Sequence, residues 1–189
     1  KVLVLRMIFI YNLDEEDQEP LWLLAICFIF GAINLHLDVD ILEFIFGYIN
    51  IENIFLQVGG EALTVAITEE LLKFIVVILI IYPNKAFDEP FDGIVYSVFV
   101  GMGFATAENL TFVLQGNTSV ALFRMLSAIP AHFVFAVIMG YYLGIAKSRK
   151  KKETLFIGLS IIVPIILHAI YDYFLYLDFV SEILLKRIR

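Results

Sequence analysis

One cysteine in 189 residues rules out an internal disulfide and a cysteine-cluster metal site, so Cys27 reads as a packing residue. Charge is scarce as well. Asp, Glu, Lys and Arg make up 17% of the chain, against roughly 25% in soluble domains. Basic residues number 13 against 20 acidic ones, and they collect in one loop and a tail. Without a basic groove there is no case for nucleic-acid binding. No low-complexity linker or internal repeat is visible, so the chain reads as a single domain over 1–189. Two hydrolase signatures are missing: the zinc motif His-Glu-x-x-His and the serine elbow Gly-x-Ser-x-Gly.

Apolar residues are plentiful. They form 61% of the chain, with a mean hydropathy of +0.89, and they fall into runs of about 20, long enough for a helix to cross hydrocarbon. Where the backbone has no water, helices are the form such runs take. The expected fold is an all-α polytopic transmembrane bundle with about five full spans, at 21–37, 59–82, 91–114, 119–146 and 154–178. Val2 to Tyr11 is too short to span and reads as a truncated N-terminal helix. The stretch 41–56 is interrupted by Glu43, Asn50, Glu52 and Asn53, which suits an interfacial or re-entrant helix. Asp14 to Glu19 is an acidic loop ahead of Pro20, and proline suits the first turn of a helix.

The loops after 82, 114 and 146 are short, so neighbouring helices should run antiparallel. Lys147, Arg149, Lys150, Lys151 and Lys152 mark a cytoplasmic loop by the excess of positive charge found there. The loop at 83–90 then shares that side, and 115–118 lies outside. Lys186, Arg187 and Arg189 fall outside against the rule, but five loop charges outweigh three in the tail.

Several ionisable residues lie inside the apolar runs: Glu69, Glu70, Lys73, Glu108, Arg124, His132, His168 and Asp172. Such groups are expensive in a bilayer unless they face a partner or a watery cavity, and they mark functional sites. Counted at about 1.5 Å per residue from the outer ends, Glu69, Glu70, His132 and His168 lie about 15–20 Å deep. Glu108, Arg124 and Asp172 lie about 8–10 Å deep. Four helices thus contribute a carboxylate–imidazole layer near the midplane and a charged layer above it, both in the outer half of the bilayer.

Glu69 and Lys73 are spaced i,i+4, the favourable order for a helical ion pair. That spacing leaves Glu70 about 100° away, free to face a cavity, and one of the two glutamates can serve as a general base. His168 and Asp172 are also i,i+4, so the carboxylate can orient the imidazole. Pro130 precedes His132, and Pro164 lies one turn before His168; kinks there would open the bundle around both rings. Glu108 and Asn109 follow small residues at four-residue spacing, Gly101 with Ala105 and Gly103 with Ala107, which let helices approach closely. Pairing with Arg124 is the structural alternative for Glu108. Asp92 lies at the opposite end of its helix and reads as a capping or interface residue.

Taken in order, these residues resemble the PrsW family of intramembrane proteases, within the superfamily of CAAX prenyl endopeptidases and bacteriocin-processing (ABI) proteins. The carrying motifs are Glu69-Glu70-x-x-Lys73, Glu89-Pro90-x-Asp92-Gly93-Ile94-Val95-Tyr96 and Gly103-Phe104-Ala105-x-x-Glu108-Asn109. Arg124, His132 and His168-x-x-x-Asp172 complete the set, which covers the chain from the loop before Pro20 to Asp172. The resemblance implies hydrolysis of peptide bonds in or near the membrane, with Glu69, Glu70, His132 and His168 as the functional residues. Related CAAX enzymes have phenylalanine four residues before the first histidine. Here that position is Ala128, which speaks against prenylated substrates. Single-pass membrane proteins with an extracytoplasmic segment, such as anti-sigma factors, are the implied partners.

Two mechanisms fit the same residues. A glutamate can deprotonate water while His132 and His168 stabilise the oxyanion. Alternatively, His132, His168 and Glu70 bind Zn²⁺, which activates the water. The adjacent pair Glu69-Glu70 resembles the CAAX motif and is an unusual ligand spacing, which favours the first. The non-enzymatic alternative is a transporter or proton relay, or a catalytically silent immunity protein of the same superfamily. A transporter would more often show inverted repeats, and none is present.

Overall fold

The computed structural model describes residues 2–13, 19–46 and 53–188, and among them every regular element is helical. Seven α-helices follow one another: α1 (Val2–Leu13), α2 (Leu21–Phe46), α3 (Ile54–Val76), α4 (Asp92–Leu114), α5 (Thr118–Leu126), α6 (Ala128–Ser148) and α7 (Glu153–Ile188). The all-α bundle expected from the apolar runs is the fold observed. Segments in α2, α4, α6 and α7 are long and apolar enough to cross a membrane. The equally long α3 carries Glu61, Glu69, Glu70 and Lys73. Apolar side chains such as Trp22, Leu79 and Phe174 point outward, as a lipid-facing exterior requires.

The element boundaries differ from the sequence reading at several places, and α7 runs on past the expected 178 to Ile188. Residues 41–46 continue α2, and Ile54 already belongs to α3, so 41–56 is not one separate helix; positions 47–52, with Asn50 and Glu52, lie outside the described residues. The acidic residues 14–18 lie outside them too. The expected span 119–146 breaks at Ser127 into a nine-residue α5 and a full α6. Pro130 explains the break. Lacking an N–H, it cannot bond the carbonyl four residues back, but it is tolerated in the first turn of a new helix. Pro130 therefore starts α6 rather than kinking a longer helix, whereas Pro164 does lie inside α7. The short α5 is amphipathic, with Leu122, Phe123 and Leu126 exposed and Ala121 buried.

Local chemistry sets other ends. The Asn53 side chain accepts from the backbone N–H groups of Phe55 and Leu56 at 3.0 and 3.2 Å, capping α3. Past Val76, α3 loosens into a π-helical turn over Val77–Ile81. Asp92 Oδ2 accepts from the N–H groups of Asp88 and Glu89 at 2.9 and 2.7 Å, which fastens the preceding loop to the start of α4 rather than capping the helix. Lys147 donates to the Tyr82 carbonyl, and the Tyr82 hydroxyl donates to Glu153 at 2.6 Å, tying three helix ends together.

The innermost helix is α4. Val95, Tyr96, Val98, Val100, Met102 and Phe104 are fully buried, and α2 and α6 pack on either side of it. Close approach on both sides depends on glycine. A Cβ on Gly103 would strike Phe28 and one on Gly31 would strike Val100; Gly93 faces Gly140 and Gly144 faces Pro90 in the same way. On the far side of α6, α7 packs against both α6 and α3, closing a ring around the charged residues.

Candidate active site

Five helices deliver the charged residues to one buried place. Glu69, Glu70 and Lys73 come from α3, Glu108 from α4, Arg124 from α5, His132 from α6, and His168 with Asp172 from α7. Lys73 is the hub. Its Nζ donates to Glu69 Oε2 at 3.1 Å and to Glu70 Oε1 at 2.8 Å. It also lies 3.2 Å from His132 Nδ1 and 4.2 Å from the Phe104 ring centroid. Lys73 therefore binds both glutamates, not Glu69 alone.

These contacts assign the histidine hydrogens. An ammonium only donates, so His132 Nδ1 carries the lone pair and Nε2 carries the hydrogen, which faces Glu108 Oε2 at 3.1 Å. His168 Nδ1 lies 2.9 Å from Glu70 Oε1 and donates to that carboxylate. Its Nε2 is 3.3 Å from Asp172 Oδ2 and 3.9 Å from Glu69 Oε2. His132 Nε2 lies 4.0 Å from the same Glu69 oxygen. The rings are perpendicular with centroids 5.2 Å apart, and Phe135 stacks on His168 at 4.9 Å. Above this layer Arg124 pairs with Glu108 and lies 4.6 Å over the Phe112 ring.

A cavity of about 30 Å³ is bounded by Glu69, His132, His168, Asp172, Glu108 and Arg124, among others. That is room for a water molecule with several polar partners. Glu69 lines it and Glu70 does not. The two glutamates thus differ from the sequence reading, in which Glu70 was the one free to face a cavity. Glu70 is fully buried behind the pocket, holding Lys73 and His168. A helix turns about 100° per residue, so adjacent residues cannot share a face; only the packing of α7 decides which of the two is inside.

Asp38, Asn34 and Tyr176 escaped the sequence reading. Asn34 Nδ2 donates to the Leu72 carbonyl at 3.0 Å, and Asp38 is 2% exposed beside the pocket. Asn34 and Asp38 share one face of α2 at i,i+4, a signal available in the sequence but cut off by ending that span at residue 37. Asn109, expected beside Glu108, has no hydrogen-bond partner for its buried Oδ1 among the described residues.

The site suits a metal ion in the kind and number of its donors. Glu69, Glu70, His132 and His168 each offer a ligand atom, all within 4.8 Å of one another. Glu70 Oε2 is buried with no hydrogen-bond partner among the described residues. Asp38, Glu69, Glu70, Glu108 and Asp172 face Lys73, Arg124 and a His168 that lies between two carboxylates and so carries both ring hydrogens, an excess of two negative charges. A divalent cation would answer both features. One contact opposes it. A His132 ring ligating through Nε2 carries its hydrogen on Nδ1, so Lys73 would have to withdraw to the two glutamates.

A family described as PrsW family intramembrane metalloprotease matches residues 19–185. Protease PrsW of Geobacillus kaustophilus is 37% identical over 168 residues, covering 88% of this chain and 73% of that protein. Protease PrsW of Bacillus subtilis is 34% identical over 173 residues, 88% of this chain and 76% of that protein. Protease PrsW of Clostridioides difficile is 32% identical over 190 residues, 97% and 79% of the two chains. No solved structure matches significantly.

Proposed function

The chain belongs to the PrsW family of intramembrane proteases, and from that premise we propose that Glu69 is its general base. One observation carries the assignment: Glu69 is the glutamate that lines the water-sized cavity together with both histidines. Glu69 takes a proton from a water whose oxygen attacks the scissile carbonyl carbon. The C–N bond then breaks, and Glu69 returns the proton to the leaving amine. A positioned base contributes roughly 10²–10⁴-fold. Ring N–H groups of His132 and His168 stabilise the oxyanion, each such donor contributing roughly 10²–10³-fold. Glu70 and Lys73 hold His168 and Glu69 in place, Asp172 orients His168 at Nε2, and Arg124 braces Glu108.

A divalent metal would be held by Glu70, His132 and His168, with Glu69 left as the base, and would supply Lewis acidity to the water and the scissile carbonyl. In either case the same chain residues place the water and receive its proton.

The basic loop Lys147–Lys152 belongs in the cytoplasm, which puts the site in the outer half of the bilayer. Its substrates are then single-pass membrane proteins cut near their extracytoplasmic side, of the anti-sigma-factor kind. The test compares new N-termini in the membrane proteome of cells expressing wild type or Glu69→Gln. Termini made only by wild type, within or just outside single spans, identify the substrate. Equal termini from both folded proteins, with the natural substrate present, would remove Glu69 from the mechanism.

A further inference from the structure

A second cavity, of about 550 Å³, opens beside the first between α2, α3, α4 and α7. Glu69 and Glu108 line both, so it adjoins the place where a scissile bond would lie. Its volume falls in the range of ligand pockets. Leu35, Val65 and Phe112 supply apolar wall, and the acidic groups are Asp38, Glu69 and Glu108; no Lys or Arg lines it among the described residues. Glu69 is held by Lys73, and Glu108 by Arg124 and His132.

Asp38 differs. It is 2% exposed, and its Oδ1 has no hydrogen-bond partner among the described residues. The hydroxyl of Thr68, on α3, donates its single hydrogen to the carbonyls of Thr64 and Val65 at 3.0 Å. A buried acceptor left unmet costs about 1–3 kcal/mol, more if charged. The Thr68 side chain lies beside the carboxylate, and the donor that Oδ1 lacks can come from water or a ligand in the cavity.

We propose that this cavity is a subsite for a basic side chain of the substrate, selected by Asp38. A guanidinium or ammonium supplies N–H donors to Oδ1, while its aliphatic stem lies along Leu35, Val65 and Phe112. The cation is tolerated at this depth because a carboxylate pairs with it. Selectivity follows from the asymmetry of polar sites: a neutral side chain leaves a buried acceptor unpaired and is rejected. The proposal rests on the protease reading for its substrate, and its test separates the two.

The probes are synthetic single-span peptides in which one arginine, or the donor-free aliphatic residue norleucine, is walked through the outer-leaflet flank. Each is titrated against the full chain in nanodiscs of zwitterionic lipid, and cleavage of the same peptides is followed by mass spectrometry. Wild type should bind arginine about tenfold or more tightly than norleucine in one register. Asp38→Asn should bring that ratio within about twofold, and Asp38→Glu should retain a preference. Because the ratio is taken within one variant, partial loss of folded protein cancels. Absence of any arginine preference in wild type, or a preference unchanged in Asp38→Asn, overturns the subsite. Arginine preference without cleavage of any peptide upholds the subsite and removes the protease role; cleavage without preference does the reverse.

Discussion

Replacing Lys73 by methionine should destabilise this protein more than any other single loss of charge in the site. Lys73 is 3% exposed and donates to Glu69 and Glu70 at 3.1 and 2.8 Å. Each hydrogen bond to a charged partner contributes about 1.5–3 kcal/mol. Its removal also strands two carboxylates in a site that already carries excess negative charge. Breaking a buried ion pair by removing one partner costs about 3–5 kcal/mol, and that is the loss expected for Lys73→Met. Neutralising the stranded charge should recover part of it. In a double-mutant cycle with Glu70→Gln, the two losses should fall short of adding by about 1–3 kcal/mol. Unfolding in SDS and dodecylmaltoside mixed micelles, followed by far-UV circular dichroism, measures all four proteins. A Lys73→Met protein within about 0.5 kcal/mol of wild type, or strictly additive losses, refutes Lys73 as the central counter-charge.

Three further outcomes are expected. Asp172→Asn should lower cleavage by roughly tenfold and leave the fold intact, since His168 keeps its bond to Glu70; unchanged turnover would make Asp172 a structural group. Metal analysis of the purified protein should find about one divalent ion per chain, as the donor set predicts, and His168→Ala should lose it. Cleavage by a wild type free of metal would leave Glu69 acting alone. Gly140→Val should destabilise by about 1–3 kcal/mol or more, because its side chain meets the Gly93 backbone. A stable Gly140→Val bundle would mean that α4 and α6 can separate without loss.

The identity of the site residues was legible in the sequence because a charge inside a 20-residue apolar run stands out on any helix. Depth counting put Glu69, Glu70, His132 and His168 in one layer, and these four do meet. It put Glu108 and Arg124 in another, and those two pair. Element limits were harder. The break at Ser127 hides within a continuous apolar stretch, and it decides that Arg124 reaches the site from the short α5 rather than from a full span. Asp38 was lost because hydropathy placed the end of a span where the helix in fact runs on.

The sequence alone determined the all-α membrane bundle, the set of charged residues in it and the family they resemble, since each depends only on composition, spacing and order. Which glutamate faces the cavity, which nitrogen of each histidine carries hydrogen, and which carboxylate goes without a partner were decided by tertiary structure. Those properties depend on how α6 and α7 are rotated against α3, and helix rotation is set by glycine contacts and ion pairs between residues as far apart in the chain as Glu70 and His168.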